Sequence, residues 1–180
     1  IEQDGKFYLY VTFVKPDDKM GTYVLVADRP DGPFHFTAGQ GLLPPGEEGT
    51  DSPAVVDDID GEPFINDDGG RLSADRLHLD GEPVALATAR QGYSEGPVMF
   101  KRKGIYYYIY TLSGHQNYVN AYMMSRESPL TGFVKPEGND IFLFSSPENQ
   151  VWGPGHGNVF YDEGTDEYIF LYLEYGDGGT

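Results

Sequence analysis

Three residues stand out by type and setting. Glu95 lies in Tyr93-Ser94-Glu95-Gly96-Pro97-Val98-Met99-Phe100, a carboxylate just before Gly-Pro and an apolar run. That order sets it on a sharp loop at a strand entrance. Partial burial among Tyr and Met there would raise its pKa and keep it protonated, as a general acid requires. The competing reading is a solvated loop glutamate. Asp51, in Thr50-Asp51-Ser52-Pro53-Ala54-Val55-Val56, repeats the arrangement, an acid leading through proline into a short apolar strand. Two acids at equivalent points of neighbouring repeats would face one cavity, and paired carboxylates around a cavity are the apparatus of glycosidic-bond cleavage. His156, in Trp152-Gly153-Pro154-Gly155-His156-Gly157-Asn158, is flanked by glycines. Its backbone can be approached closely from both sides, which suits a packed position. There it either holds a metal or the metal's water, or hydrogen-bonds within the core. His35, His78 and His115 form no ligand-spaced set with it, which argues against zinc.

Two further patterns resolve into ordinary structure. Gly92-Tyr93-Ser94-Glu95-Gly96 matches the G-x-S-x-G nucleophile elbow, but that motif needs a helix after the serine. Here Pro97 and a strand-like run follow, and βαβ alternation is missing, so Ser94 is not read as a nucleophile. Asp57, Asp58 and Asp60 fail the calcium-loop pattern, which around Gly61 demands an acid where Val56 stands. They read as a solvated hairpin turn.

The elements that carry these residues are short. With 24 Gly and 13 Pro, breaks recur every ten residues or so and leave little room for long helices. Between them lie β-branched and aromatic runs: Lys6 to Phe13, Tyr23 to Val26, Ala54 to Val56, Pro83 to Ala87, Val98 to Phe100, Ile105 to Leu112 and Tyr168 to Tyr175. Leu72 to Leu79 and Asn120 to Arg126 lack a clean helical period with caps and read as strand or loop. A turn-then-strand phrase recurs at Asp4-Gly5, Asp60-Gly61, Lys103-Gly104 and Thr165-Asp166. A second phrase pairs Asp28-Arg29-Pro30-Asp31-Gly32-Pro33-Phe34 with Ser125 to Phe133. Spacings of about 40 to 60 residues suit four-stranded propeller blades, and about three to four of these fit in the chain. A sandwich would not need the same hairpin phrase repeated. The reading is an all-β, partial β-propeller over 1–180, truncated at both ends.

Charge and composition exclude other classes. Twelve Lys and Arg face 29 Asp and Glu, a net charge of −17. A nucleic-acid binder needs a dense positive face, so nucleic acid is not a partner. Aromatic residues at 14% supply enough buriable surface to argue against disorder. No run approaches the roughly 18 apolar residues of a membrane helix, so no membrane is expected, and no basic leader with a hydrophobic region opens the sequence. Without cysteine there is neither a disulfide framework nor thiol chemistry, and the compartment stays open.

With Asp51, Glu95 and His156 in order along nearly the whole length, the chain resembles glycoside hydrolase family 43, the inverting five-bladed propeller enzymes that include arabinofuranosidases, xylosidases and arabinanases. Ser94-Glu95-Gly96-Pro97 followed by Lys103-Gly104-Ile105-Tyr106 looks like that family's general-acid motif. Asp51 through Gly61 looks like its Asp-Pro strand, whose aspartate tunes and orients the acid. Gly153-Pro154-Gly155-His156 is similar to the segment that brings a histidine to the centre, near a calcium ion or its water. The resemblance implies Glu95 as acid, Asp51 as orienter, and release of L-arabinofuranose or D-xylose from plant cell-wall polysaccharide such as arabinoxylan by a secreted hydrolase. It also implies a structural calcium at His156 and no organic cofactor. Tyr93, Tyr118 and Trp152 are candidates for stacking on sugar.

Two departures accompany it. Ser52 separates Asp51 from Pro53, so Asp51 is either displaced or compensated by a bulge. The family's catalytic base is a first-blade aspartate, and no acid here matches it. The chain then covers roughly blades two to five, with the remainder of its own propeller as a partner. The alternatives are a non-catalytic carbohydrate-binding propeller and, third, an acidic interaction domain.

Overall fold

A computed structural model of the chain describes residues 1–14, 20–37, 54–59, 62–66, 70–75, 77, 79–81, 84, 86, 90–114 and 117–176. Asp51, Asp60, His78 and His115 lie outside them. Among the described residues the regular elements are strands, joined by a short 3-10 turn at Pro147–Asn149, with no α-helix. The chain forms two compact units, Ile1–Leu86 and Ala87–Thr180.

In the first unit, β1 (Glu2–Gln3), β2 (Lys6–Val14), β3 (Met20–Ala27) and β4 (His35–Phe36) form one antiparallel sheet in chain order. A second sheet runs β5 (Ala54–Ile59), β6 (Glu62–Asn66) and β7 (Gly70–Arg71). Tyr10, Val24 and Leu72 are buried together, with Ile1, Tyr8, Leu77 and Leu79 packed against them. In the second unit, β8 (Tyr93–Arg102), β9 (Ile105–Leu112), β10 (Val119–Ser125) and β11 (Ile141–Leu143) form a four-stranded antiparallel meander. β12 (Gly155–Asp162) and β13 (Glu167–Leu173) make a hairpin.

Turn chemistry explains the repeated phrases. Asp4 and Gly5 have φ of 51° and 72°, and Lys103 and Gly104 have 50° and 77°. Positive φ at both central residues matches the right-handed twist of the flanking strands, so Asp-Gly and Lys-Gly close hairpins without splaying them. The second phrase follows the third strand of each four-stranded sheet, after Ala27 in one and after Ser125 in the other. In the second case the Ser125 hydroxyl donates to the Thr131 carbonyl at 2.6 Å and accepts the Glu127 N–H at 3.1 Å. Asn120 to Ser125 lies in β10, where the sequence left strand or loop open, and Leu72 and Leu79 pair in an isolated antiparallel bridge.

β9 is an inner strand of its four-stranded sheet, and Tyr108 through Leu112 are buried without a break. Its sheet packs on the β12–β13 hairpin through aromatic rings: Phe100 lies 5.0 Å from Tyr168, and Phe142 meets Phe170 edge-on at 5.3 Å. The Tyr168 hydroxyl donates to the Lys101 carbonyl at 3.0 Å. That packing brings the start of β12 against the start of β8.

Candidate active site

Glu95 is the third residue of β8, within the strand instead of on a loop before it. The strand is irregular there. Tyr93 pairs with Leu112, Glu95 with Thr111 and Val98 with Ile109, so β8 carries one extra residue on each side of the Glu95 pair. Bulges bend a strand and re-aim a side chain. β12 uses the same device: Gly155 pairs with Leu173 and Asn158 with Leu171, leaving His156 and Gly157 in a bulge, with His156 at φ 43°.

The two bulges meet. Nδ1 of His156 is 2.9 Å from Oε2 of Glu95, and the Tyr118 hydroxyl donates to Oε1 of the same carboxyl. Both oxygens of Glu95 are therefore engaged by side chains from other segments. The glutamate side chain is 24% exposed and the histidine 38%. A half-buried carboxyl with both oxygens fixed, still open to solvent on one side, can meet a substrate with little reorganisation. Beneath it lies a buried polar row. Thr111 Oγ1 accepts the His156 N–H at 3.0 Å and donates to Asn120 Oδ1 at 3.1 Å, and Asn120 Nδ2 donates to the Pro154 carbonyl at 2.8 Å.

Two glycines allow this approach. A Cβ on Gly96, whose φ is +65°, would lie 2.8 Å from His156 Cα and 2.9 Å from Thr111 Oγ1. A Cβ on Gly155 would lie 2.6 Å from Cδ2 of Tyr118. Gly96 thus lets the Glu-Gly-Pro backbone lie against His156, and Gly155 makes room beside it for the Tyr118 ring.

Of the residues singled out from sequence, Glu95, Tyr118 and His156 come together. Tyr118 meets the carboxyl with its hydroxyl, a contact that the expectation of sugar stacking did not include. Trp152 is half-buried, and its carbonyl accepts the Tyr175 N–H at 2.9 Å, while the Tyr175 ring lies 6.3 Å from that of Tyr118. Tyr93 opens β8. Asp51 lies outside the described residues. Thr111 and Asn120 were not singled out, although a threonine at the end of the Ile105 to Leu112 run and an asparagine between Val119 and Ala121 are the kind of polar residues that need partners once buried.

Calcium, implied by the resemblance, takes six to eight oxygen donors. Among the described residues no three His, Asp or Glu side chains gather to hold a metal. Beside His156 stands Glu95, whose two oxygens already meet Tyr118 and His156. By themselves the described residues do not assemble that ion's ligand shell.

Four-stranded antiparallel sheets are the units of which β-propeller blades are made. The chain belongs to glycosyl hydrolases family 43, whose family model matches residues 1–180. The family's enzymes are five-bladed propellers, and this chain covers part of one. It is 28% identical to the beta-D-galactofuranosidase xynD of Aspergillus niger, covering 97% of this chain and 52% of that protein. A solved glycoside hydrolase is 39% identical with a TM-score of 0.87, covering 98% of this chain and 42% of its own. The alpha-L-arabinofuranosidase of Clostridium thermocellum shares the fold at 23% identity and a TM-score of 0.71, covering 97% of this chain and 59% of its own. The chain thus spans about half the length of the curated relative it matches.

Proposed function

We propose that the whole protein is an inverting glycoside hydrolase that releases L-arabinofuranose from plant cell-wall polysaccharide such as arabinoxylan, with Glu95 as its general acid. The observation that carries this is the engagement of both Glu95 oxygens, by His156 Nδ1 and by the Tyr118 hydroxyl. Glu95 gives its proton to the glycosidic oxygen as the bond to the anomeric carbon breaks. Water attacks that carbon from the opposite face, and its proton passes to a second carboxylate that we assign to none of the acids of this chain. Inversion requires about 6.5–9.5 Å between the two carboxyls, leaving room for the water. Asp51 is proposed to orient the acid.

The choice of a furanose over D-xylose is supported by the relative named a galactofuranosidase. β-D-Galactofuranose and α-L-arabinofuranose share a five-membered ring with the same ring configuration and differ in the exocyclic group. Secretion is part of the proposal, because a wall polysaccharide lies outside the cell. The test uses the full-length protein on 4-nitrophenyl α-L-arabinofuranoside, β-D-xyloside and β-D-galactofuranoside, with the anomer released followed by proton NMR. Fastest turnover of the arabinofuranoside with inverted product is the expected result. Retained configuration refutes the mechanism, faster turnover of either other sugar refutes the specificity, and binding without turnover selects the non-catalytic alternative.

A further inference from the structure

Glu95, Thr111 and Asn120 stand in one row across three strands: Glu95 is the register partner of Thr111, and Thr111 that of Asn120. Thr111 and Asn120 are both 0% exposed. A buried hydroxyl and a buried amide stabilise a sheet core little beyond what apolar residues of the same shape would contribute, because each must first be stripped of water. Their hydrogen bonds are spent on the segment before the imidazole. Thr111 Oγ1 takes the His156 N–H, and Asn120, itself held by the Thr111 hydroxyl, donates to the Pro154 carbonyl. The two bonds fix a donor and an acceptor two residues apart, on a backbone that reaches positive φ at His156.

We propose that Thr111 and Asn120 are positioning residues for the general acid, acting through His156: they bolt the 154–156 backbone to β9 and β10 and so set where the imidazole meets Oε2 of Glu95. This rests on the reading of Glu95 as the acid. Loss of the Thr111 hydroxyl frees the His156 N–H and lets the imidazole shift, and misplacement of a catalytic group by about 1 Å costs up to about 100-fold in rate.

The test compares two leaving groups in the full-length enzyme: arabinoxylan, whose leaving oxygen needs a proton, and 2,4-dinitrophenyl α-L-arabinofuranoside, whose phenolate leaves without one. If the glycoside panel selects another sugar, the same pair of leaving groups is used on that sugar. Thr111→Val is expected to lower kcat on the polysaccharide about 10- to 100-fold, with KM and the dinitrophenyl rate within about twofold, and Thr111→Ser to restore the rate. Should Thr111→Val not fold, Asn120→Ala, which keeps Thr111 and removes the bond to Pro154, carries the same expectation. An equal loss on both substrates, or no loss on either, overturns the proposal. Glu95→Gln in the same assay separates the two ideas. If it shows the leaving-group dependence and the Thr111 and Asn120 variants do not, only the positioning role fails. If Glu95→Gln lacks the dependence, the acid assignment fails.

Discussion

His156 Nδ1 lies 2.9 Å from Oε2 of Glu95, a contact made across 61 positions of sequence. It exists because two bulged strand starts meet: a Cβ at Gly96 would press on His156 Cα, and one at Gly155 would press on the Tyr118 ring. The Tyr118 hydroxyl completes the arrangement on Oε1.

Tyr118→Phe keeps the ring and removes the hydroxyl. Since the hydroxyl holds the acid, kcat on polysaccharide should fall about tenfold with KM little changed, the size expected when one hydrogen bond is lost. Steady-state kinetics decides it. A stacking role alone would leave the phenylalanine variant at wild-type rate.

Gly96→Ala puts a Cβ 2.8 Å from His156 Cα at a φ of +65°. The conformational penalty alone is about 1 kcal/mol, and the clash adds to it. A lower melting temperature together with loss of polysaccharide hydrolysis is the expected result. Unchanged melting and unchanged activity would mean that the two strand starts do not approach as described.

Asp140 reports on stability apart from catalysis. It is fully buried and held by Arg90 through Nε at 2.8 Å and Nη2 at 2.6 Å, with Lys135 Nζ at 3.4 Å. The Arg90 guanidinium, more than any other group, lowers its pKa to about 2. A carboxyl with a depressed folded pKa stabilises the fold above its ordinary range, and that contribution fades as pH falls toward the folded value. Arg90→Met strands the buried charge and should lower the melting temperature at pH 7, on the order of 5 °C or more. The gap between wild type and variant should close between about pH 4 and pH 2. Thermal melts across that range check this, and a gap independent of pH would contradict it.

Much of this was legible before the fold. Hairpins announce themselves because Asp4-Gly5 and Lys103-Gly104 take the positive φ that such turns require. Glu95 and His156 stand out because glycine and proline crowd around them. The bulges were not placed from the sequence: glycine and proline around Glu95 and His156 mark irregular backbone, but where a strand slips depends on how it pairs with its neighbour. Glu95 was therefore expected on a loop and is found within β8. The Arg90–Asp140 pair, 50 positions apart, and the Thr111–Asn120 row depend on long-range packing that local pattern does not carry. Tyr118 was legible as an aromatic candidate for stacking on sugar, but the bond from its hydroxyl to the acid was not, because 23 positions separate the two residues.

The most direct test of Glu95 as general acid is the leaving-group dependence of Glu95→Gln in the full-length enzyme. A loss of about 10²- to 10⁴-fold in kcat on arabinoxylan, with hydrolysis of the dinitrophenyl glycoside largely kept, is the expected result. Near wild-type hydrolysis of arabinoxylan by that variant would contradict it.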